Sequence, residues 1–171
     1  MQHCRNGRPV SRGKAIAIAA VVLCIIAAIL FLFQDALWGG GMELALLDAD
    51  TGECYASFPV EEGSTFSVTF LHSVNKSDVC ETYCVEGGSI YVESCEYSAF
   101  GAGVATQVEP GQTLTHTPDG HMLLSGIHRE IPSLSYIVGT IYDHYLDIDG
   151  QTINLTELCG KNSTVCFTLV S

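Results

Sequence analysis

Two histidines and a glutamate, His72, Glu81 and His144, are the residues through which this sequence could do chemistry. Imidazoles titrate near neutral pH and ligate divalent metals, and a carboxylate beside them would complete a metal site, an acid–base pair or a cradle for a polar ligand. Ser73 follows His72, but neighbours in an extended strand point to opposite faces and no nucleophile-elbow motif surrounds it. Asp143 stands in the same relation to His144 and should point away from it. The three principal residues lie far apart in the chain, with no spacing characteristic of a metal site. A hydrogen-bonded core or contact network is therefore the favoured reading, with a metal-dependent enzyme, or a structural module that binds another envelope protein, as the alternatives. Neither a stoichiometric metal nor a cofactor is expected, and no residue is assigned a catalytic role.

These residues must be positioned by strands. Beyond the glycines at 39–41, short runs alternate between apolar and polar residues, separated by turn residues. The candidate strands are Met42 to Leu47, Glu53 to Phe58, Thr65 to His72, Val79 to Val85, Ile90 to Tyr97, His121 to Ile127, Leu134 to Asp143, Tyr145 to Ile148, Thr152 to Thr156 and Thr164 to Val170. Many short strands and no amphipathic helix predict an all-β domain, an antiparallel sandwich or a barrel-like fold.

Turn chemistry then predicts local registers. Gly87-Gly88 fits a two-residue hairpin, with Glu86 opposite Ser89, Tyr83 opposite Val92, Glu81 opposite Ser94 and Cys80 opposite Cys95. That register predicts a Cys80 to Cys95 disulfide. Val79, Tyr83, Val85, Ile90 and Val92 share one face, and alternation places Glu81 on it, where a carboxylate needs a partner. His72 continues the apolar set Phe66, Val68 and Phe70, so His72 is the expected partner across the loop to Val79. The Asp149-Gly150 turn predicts a further hairpin, with Leu146 opposite Ile153 and His144 opposite Leu155.

Phe100-Gly101-Ala102-Gly103 reads as a loop with close backbone approach at Gly101 and Gly103, because it lacks the third glycine and the following helix of a nucleotide loop. The segments from Asp48 to Gly52 and from Asp147 to Gly150 lack the terminal glutamate of a calcium loop and read as tight turns.

The chain begins with Arg5, Arg8, Arg12 and Lys14, followed by the uncharged run Ala15 to Phe33. Nineteen helical residues span about 28 Å, close to the hydrocarbon thickness of a bilayer. The organisation expected is a cytoplasmic basic tail at 1–14, a transmembrane signal anchor at 15–33, a linker at 34–41 and an extracytoplasmic β domain at 42–171, oriented by the positive-inside tendency. Lys76, Arg129 and Lys161 face all nineteen acids in the part after the anchor, a net charge of −16, which excludes nucleic acid as a natural partner. Six cysteines in that part, Cys54, Cys80, Cys84, Cys95, Cys159 and Cys166, favour disulfides over zinc on number and spacing.

Phe70-x-His72-Ser73-Val74, Val79-x-Glu81-x-Tyr83, Phe100-Gly101-Ala102-Gly103 and Asp143-His144-x-Leu146, in that order, resemble a bacterial domain-of-unknown-function family, number eighteen-fifty. The resemblance covers roughly Met42 to Leu155. Members look like small membrane-anchored extracytoplasmic proteins encoded beside TAXI-type TRAP transporters, which implies an accessory role in solute uptake with TRAP transporter subunits as partners. The resemblance carries no assigned activity. The cysteines depart from what is expected of the family and suggest added stabilisation of an outward-facing domain.

Overall fold

The structure, a computed structural model, describes residue 23 and residues 41–73, 76–98 and 108–171. The chain divides into two units, Met1–Gly40 and Gly41–Ser171. Apart from Leu23, which is helical, the expected anchor at 15–33 lies outside the described residues, as do Gly101 and Gly103. Among the described residues no helix is long and apolar enough to cross a membrane.

Among its described residues the second unit is mostly antiparallel β structure. Its strands are β1 (Glu43–Asp48), β2 (Cys54–Pro59), β3 (Thr65–Leu71), β4 (Asp78–Glu86), β5 (Ser89–Tyr97), β6 (Thr113–His116), β7 (Met122–Glu130), β8 (Leu134–Ile137), β9 (His144–Ile148), β10 (Gln151–Asn154) and β11 (Thr164–Val170), with one short helix, α1 (Leu155–Cys159). A four-stranded sheet runs β2-β1-β11-β8 and a seven-stranded sheet runs β10-β9-β3-β4-β5-β7-β6. Neither closes into a barrel among the described residues.

Period-two alternation explains the layering. Leu44 and Leu46 of β1, Val165 and Phe167 of β11, Phe66 and Val68 of β3, and Tyr83 and Val85 of β4 all turn into one shared core. Phe66 stacks on Tyr83 at 5.2 Å in its own sheet and on Phe167 at 5.9 Å in the facing sheet, so the same ring joins both layers.

Three elements differ from the expectation. The run Leu134 to Asp143 is not one strand: β8 stops at Ile137, because Gly139 takes a left-handed φ of +66°. A Cβ on Gly139 would meet Thr156 Cγ2 at 2.5 Å, so the backbone there lies directly against that side chain. The run Thr152 to Thr156 ends its extended part at Asn154, whose side chain accepts from the amides of Thr156 and Glu157 and starts α1. Polar β6, exposed at all four positions, carries no alternation that marks it in the sequence.

Asn154→Ala should lower the stability of the domain by about 1 kcal/mol, the usual cost of an N-cap. Chemical unfolding measures it. An unchanged midpoint would mean that packing of Leu155 and Thr156 alone holds α1.

Candidate functional site

The topology gathers the chemistry-bearing segments at one end of the seven-stranded sheet. β3 ends there at Leu71, β4 begins at Asp78, β5 ends at Tyr97 and β9 begins at His144. Glu81 faces the core, as alternation requires, opposite Val68 on one side and Cys95 on the other.

Its partners are two tyrosines. Tyr83 Oη donates to Glu81 Oε2 at 3.0 Å, Tyr136 Oη donates to the same oxygen, and the two phenol oxygens lie 2.5 Å apart. Burial, and then the neighbouring carboxylate, raises both phenols above their ordinary values, so both remain protonated donors. Tyr136 belongs to β8, and its hydroxyl therefore crosses from the four-stranded sheet to the seven-stranded one. A phenol turned inward must find an acceptor, and Glu81 is that acceptor.

His72 is not the partner of Glu81. Val68 pairs with Glu81, and His72 lies four residues farther along the chain, one past the end of β3 and about 13 Å away at strand rise. The His72 amide instead donates to the Ser77 carbonyl at 2.8 Å, and its own carbonyl accepts from Lys76 at 2.8 Å, closing the turn into β4.

The hairpin at Gly87-Gly88 has the expected pairs from Glu86–Ser89 to Tyr83–Val92, then shifts by one residue. Glu93 is the extra residue, held out by a 2.7 Å hydrogen bond to His128 Nδ1. Beyond this bulge Cys80 opposes Glu96 and Cys95 opposes Glu81, so the two cysteines occupy opposite faces and the predicted Cys80 to Cys95 disulfide is ruled out by register. All six cysteines of the domain are free. Burial, with help from the nearby Glu81 and Cys80, pushes the Cys95 thiol up to about 12, leaving it a neutral packing group.

His144 pairs with Phe70 across β9 and β3, stacking on that ring at 5.3 Å and meeting the edge of Tyr136 at 6.0 Å. Leu146 opposes Ile153 as the turn predicts, whereas Leu155 has left the ladder for α1 and does not oppose His144. His144 Nδ1 is buried without a hydrogen-bond partner. His72, Glu81 and His144 thus form no joint constellation: among the described residues, no group of three His, Cys, Asp or Glu side chains could hold a metal. Tyr136 is the link between two of them, touching His144 with its ring and Glu81 with its hydroxyl.

A pocket of about 320 Å³ opens at this end, lined by Phe70 through Ser73 on one side and by Thr140 through Tyr142 with His144 on the other. Ser73 and both histidines meet here, and Ile141 stands 67 % exposed at its wall. A larger cleft of about 740 Å³ lies over Ser67, Thr82, Asp147 and Asp149 on the opposite face of the sheet. It contains none of His72, Ser73, Glu81, Tyr83, Asp143 and His144, and the Asp147 to Gly150 segment at its edge is a tight turn, so volume alone does not make it the site.

A family model described as Domain of unknown function (DUF1850) matches residues 66–155. The chain belongs to this family. The DUF1850 match starts in β3 and ends at the first residue of α1, and so takes in the pocket, Glu81, Tyr83, Tyr136 and His144. No curated protein and no solved structure matches the chain. Tyr136 is the residue that sequence reasoning missed: its inward register could be read from Leu134-x-Tyr136-x-Val138, but its partner lies 55 residues away in the facing sheet.

Desolvation lowers the pKa of His144 below its ordinary 6.5, partly offset by the charge of Asp143. The unfolded chain then binds a proton first on acidification, so this group's contribution is fully present above 6.5 and is lost as pH falls through 6.5 to the folded value. His128, raised by Glu93 and then Glu86, works in the opposite direction from an exposed site. His144→Gln should therefore flatten the loss of stability between pH 7.5 and pH 5, as read from urea midpoints. An unchanged slope would place the titration elsewhere.

Proposed function

We propose that this DUF1850 chain is a membrane-tethered extracytoplasmic accessory domain that docks on a TAXI-type TRAP transporter through the pocket end of its seven-stranded sheet. The observation that carries the reading is the exposed Ile141 beside a pocket floored by Phe70 and flanked by His72 and His144. A large exposed aliphatic residue at the rim of a concavity marks a contact surface. Three cations against nineteen acids after the anchor make a transporter surface with an apolar centre and a basic rim the complementary partner. The uncharged run 15–33 behind four basic residues supports a tether that holds the domain outside the cell.

A photo-crosslinking residue at Ile141 of the full chain, in native membranes, should form an adduct with a TRAP membrane subunit. The same residue at Val170, at the other end of β11, should form little. No adduct at Ile141, or equal adducts at both positions, would remove the reading. Protease added to intact cells, or to spheroplasts where an outer membrane is present, should digest the domain. Full protection would reverse the topology. One zinc or iron per chain, lost in both His72→Ala and His144→Ala, would instead favour the metal-dependent enzyme.

A further inference from the structure

The two walls of the pocket depend on different sheets. Phe70 through Ser73 continue β3 in the seven-stranded sheet, whereas Thr140 through Tyr142 follow directly from β8 at the edge of the four-stranded sheet. β8 is short, four residues paired only with β11. Beyond it the chain is held toward the four-stranded layer by Val138, whose amide donates to Ser163 at 2.9 Å and whose carbonyl accepts from Asn162 at 2.8 Å. The tie in the other direction is Tyr136, with its hydroxyl on Glu81 and its ring on His144 and Phe70.

We infer that Tyr136 and Glu81 form a latch between the sheets that sets the position of the 138–143 segment, and with it the shape of the pocket. The inference rests on the reading that this end of the domain is the contact surface, and it adds how that surface is regulated. A carboxylate bonded to two phenols is a weak source of net stability, because an apolar set of the same shape would serve as well, but it fixes one arrangement strongly. Glu81 is only part-buried, so water can replace Tyr136 when the latch opens. The open state is thus a local excursion of β8 and the segment after it, while the β4–β5 ladder stays formed. A partner seated against Ile141 would favour whichever of the two positions fits it.

Hydrogen exchange of the full chain in detergent distinguishes this from ordinary core packing. Tyr136→Phe keeps the ring and removes only the hydroxyl, and should speed exchange at the amides of Val138 and Asn162 about tenfold, the factor set by one hydrogen bond of ordinary strength. The amides of the β4–β5 hairpin should be unaffected. Tyr83→Phe is the comparison: it removes a phenol from the same carboxylate and its contact with the Tyr136 hydroxyl but leaves the Tyr136–Glu81 bond between the sheets, so Val138 should be accelerated clearly less than in Tyr136→Phe. Equal acceleration in both variants, acceleration spread over both sheets, or none at Val138 would overturn the latch. If the exchange pattern holds while Ile141 gives no crosslink, the docking reading falls and the latch stands.

Discussion

Phe66→Ala should destabilise the domain by about 3 to 5 kcal/mol, the range for truncating a buried aromatic. Phe66 is 2 % exposed and its ring lies between Tyr83 and Phe167, so alanine removes contacts in both layers at once. Two β-sheets cannot close around the resulting void without moving relative to one another, and their hydrogen-bonded ladders resist that. Urea unfolding of residues 41–171 should show a lower midpoint with an unchanged slope. A loss below about 1 kcal/mol would mean that the site collapses easily and that Phe66 is not the joint between the sheets.

Glu81→Ala should cost about 1 to 3 kcal/mol, because the two phenols then lose their shared acceptor and keep only each other. The test lies in how the losses combine. Glu81→Ala with Tyr136→Phe should cost less than the sum of the two single variants, since the second change removes a group already stranded by the first. Glu81→Ala with His72→Ala should be additive, as their separation along the ladder requires. Replacing all three partners together, Glu81→Leu with Tyr83→Phe and Tyr136→Phe, should recover most of the loss, because no polar group is then left without a partner. Additivity of Glu81 with Tyr136, or coupling of Glu81 with His72, would show that the carboxylate is satisfied by something other than the two phenols.

The protein belongs to a family defined by its sequence, and the segment that defines it is the one that builds the pocket end. Most of the residues flagged there were legible because strand alternation is a local property. Glu81 faces inward whatever happens to its neighbours, since the side-chain period of β4 is set within β4 itself. His72, Ser73 and His144 reached one pocket because β3 and β9 are adjacent and end together. The strand boundaries were less legible where a single residue overrides the pattern, as Gly139 does after β8 and Asn154 does before α1.

What the amino-acid sequence determined by itself was therefore short in range: the all-β class, the face to which each strand residue turns, the two tight hairpins at Gly87-Gly88 and Asp149-Gly150, and the charge of the whole. Only the tertiary structure decided who meets whom. One bulged residue, Glu93, held by His128 from another strand, was enough to move Cys80 away from Cys95 and to set Cys95 beside Glu81. The partner of Glu81 came from the opposite sheet, 55 residues away, through Tyr136. Alternation and turn residues act over a few positions, whereas register beyond a bulge and contact across a core depend on how distant segments pack, and no local pattern encodes that packing.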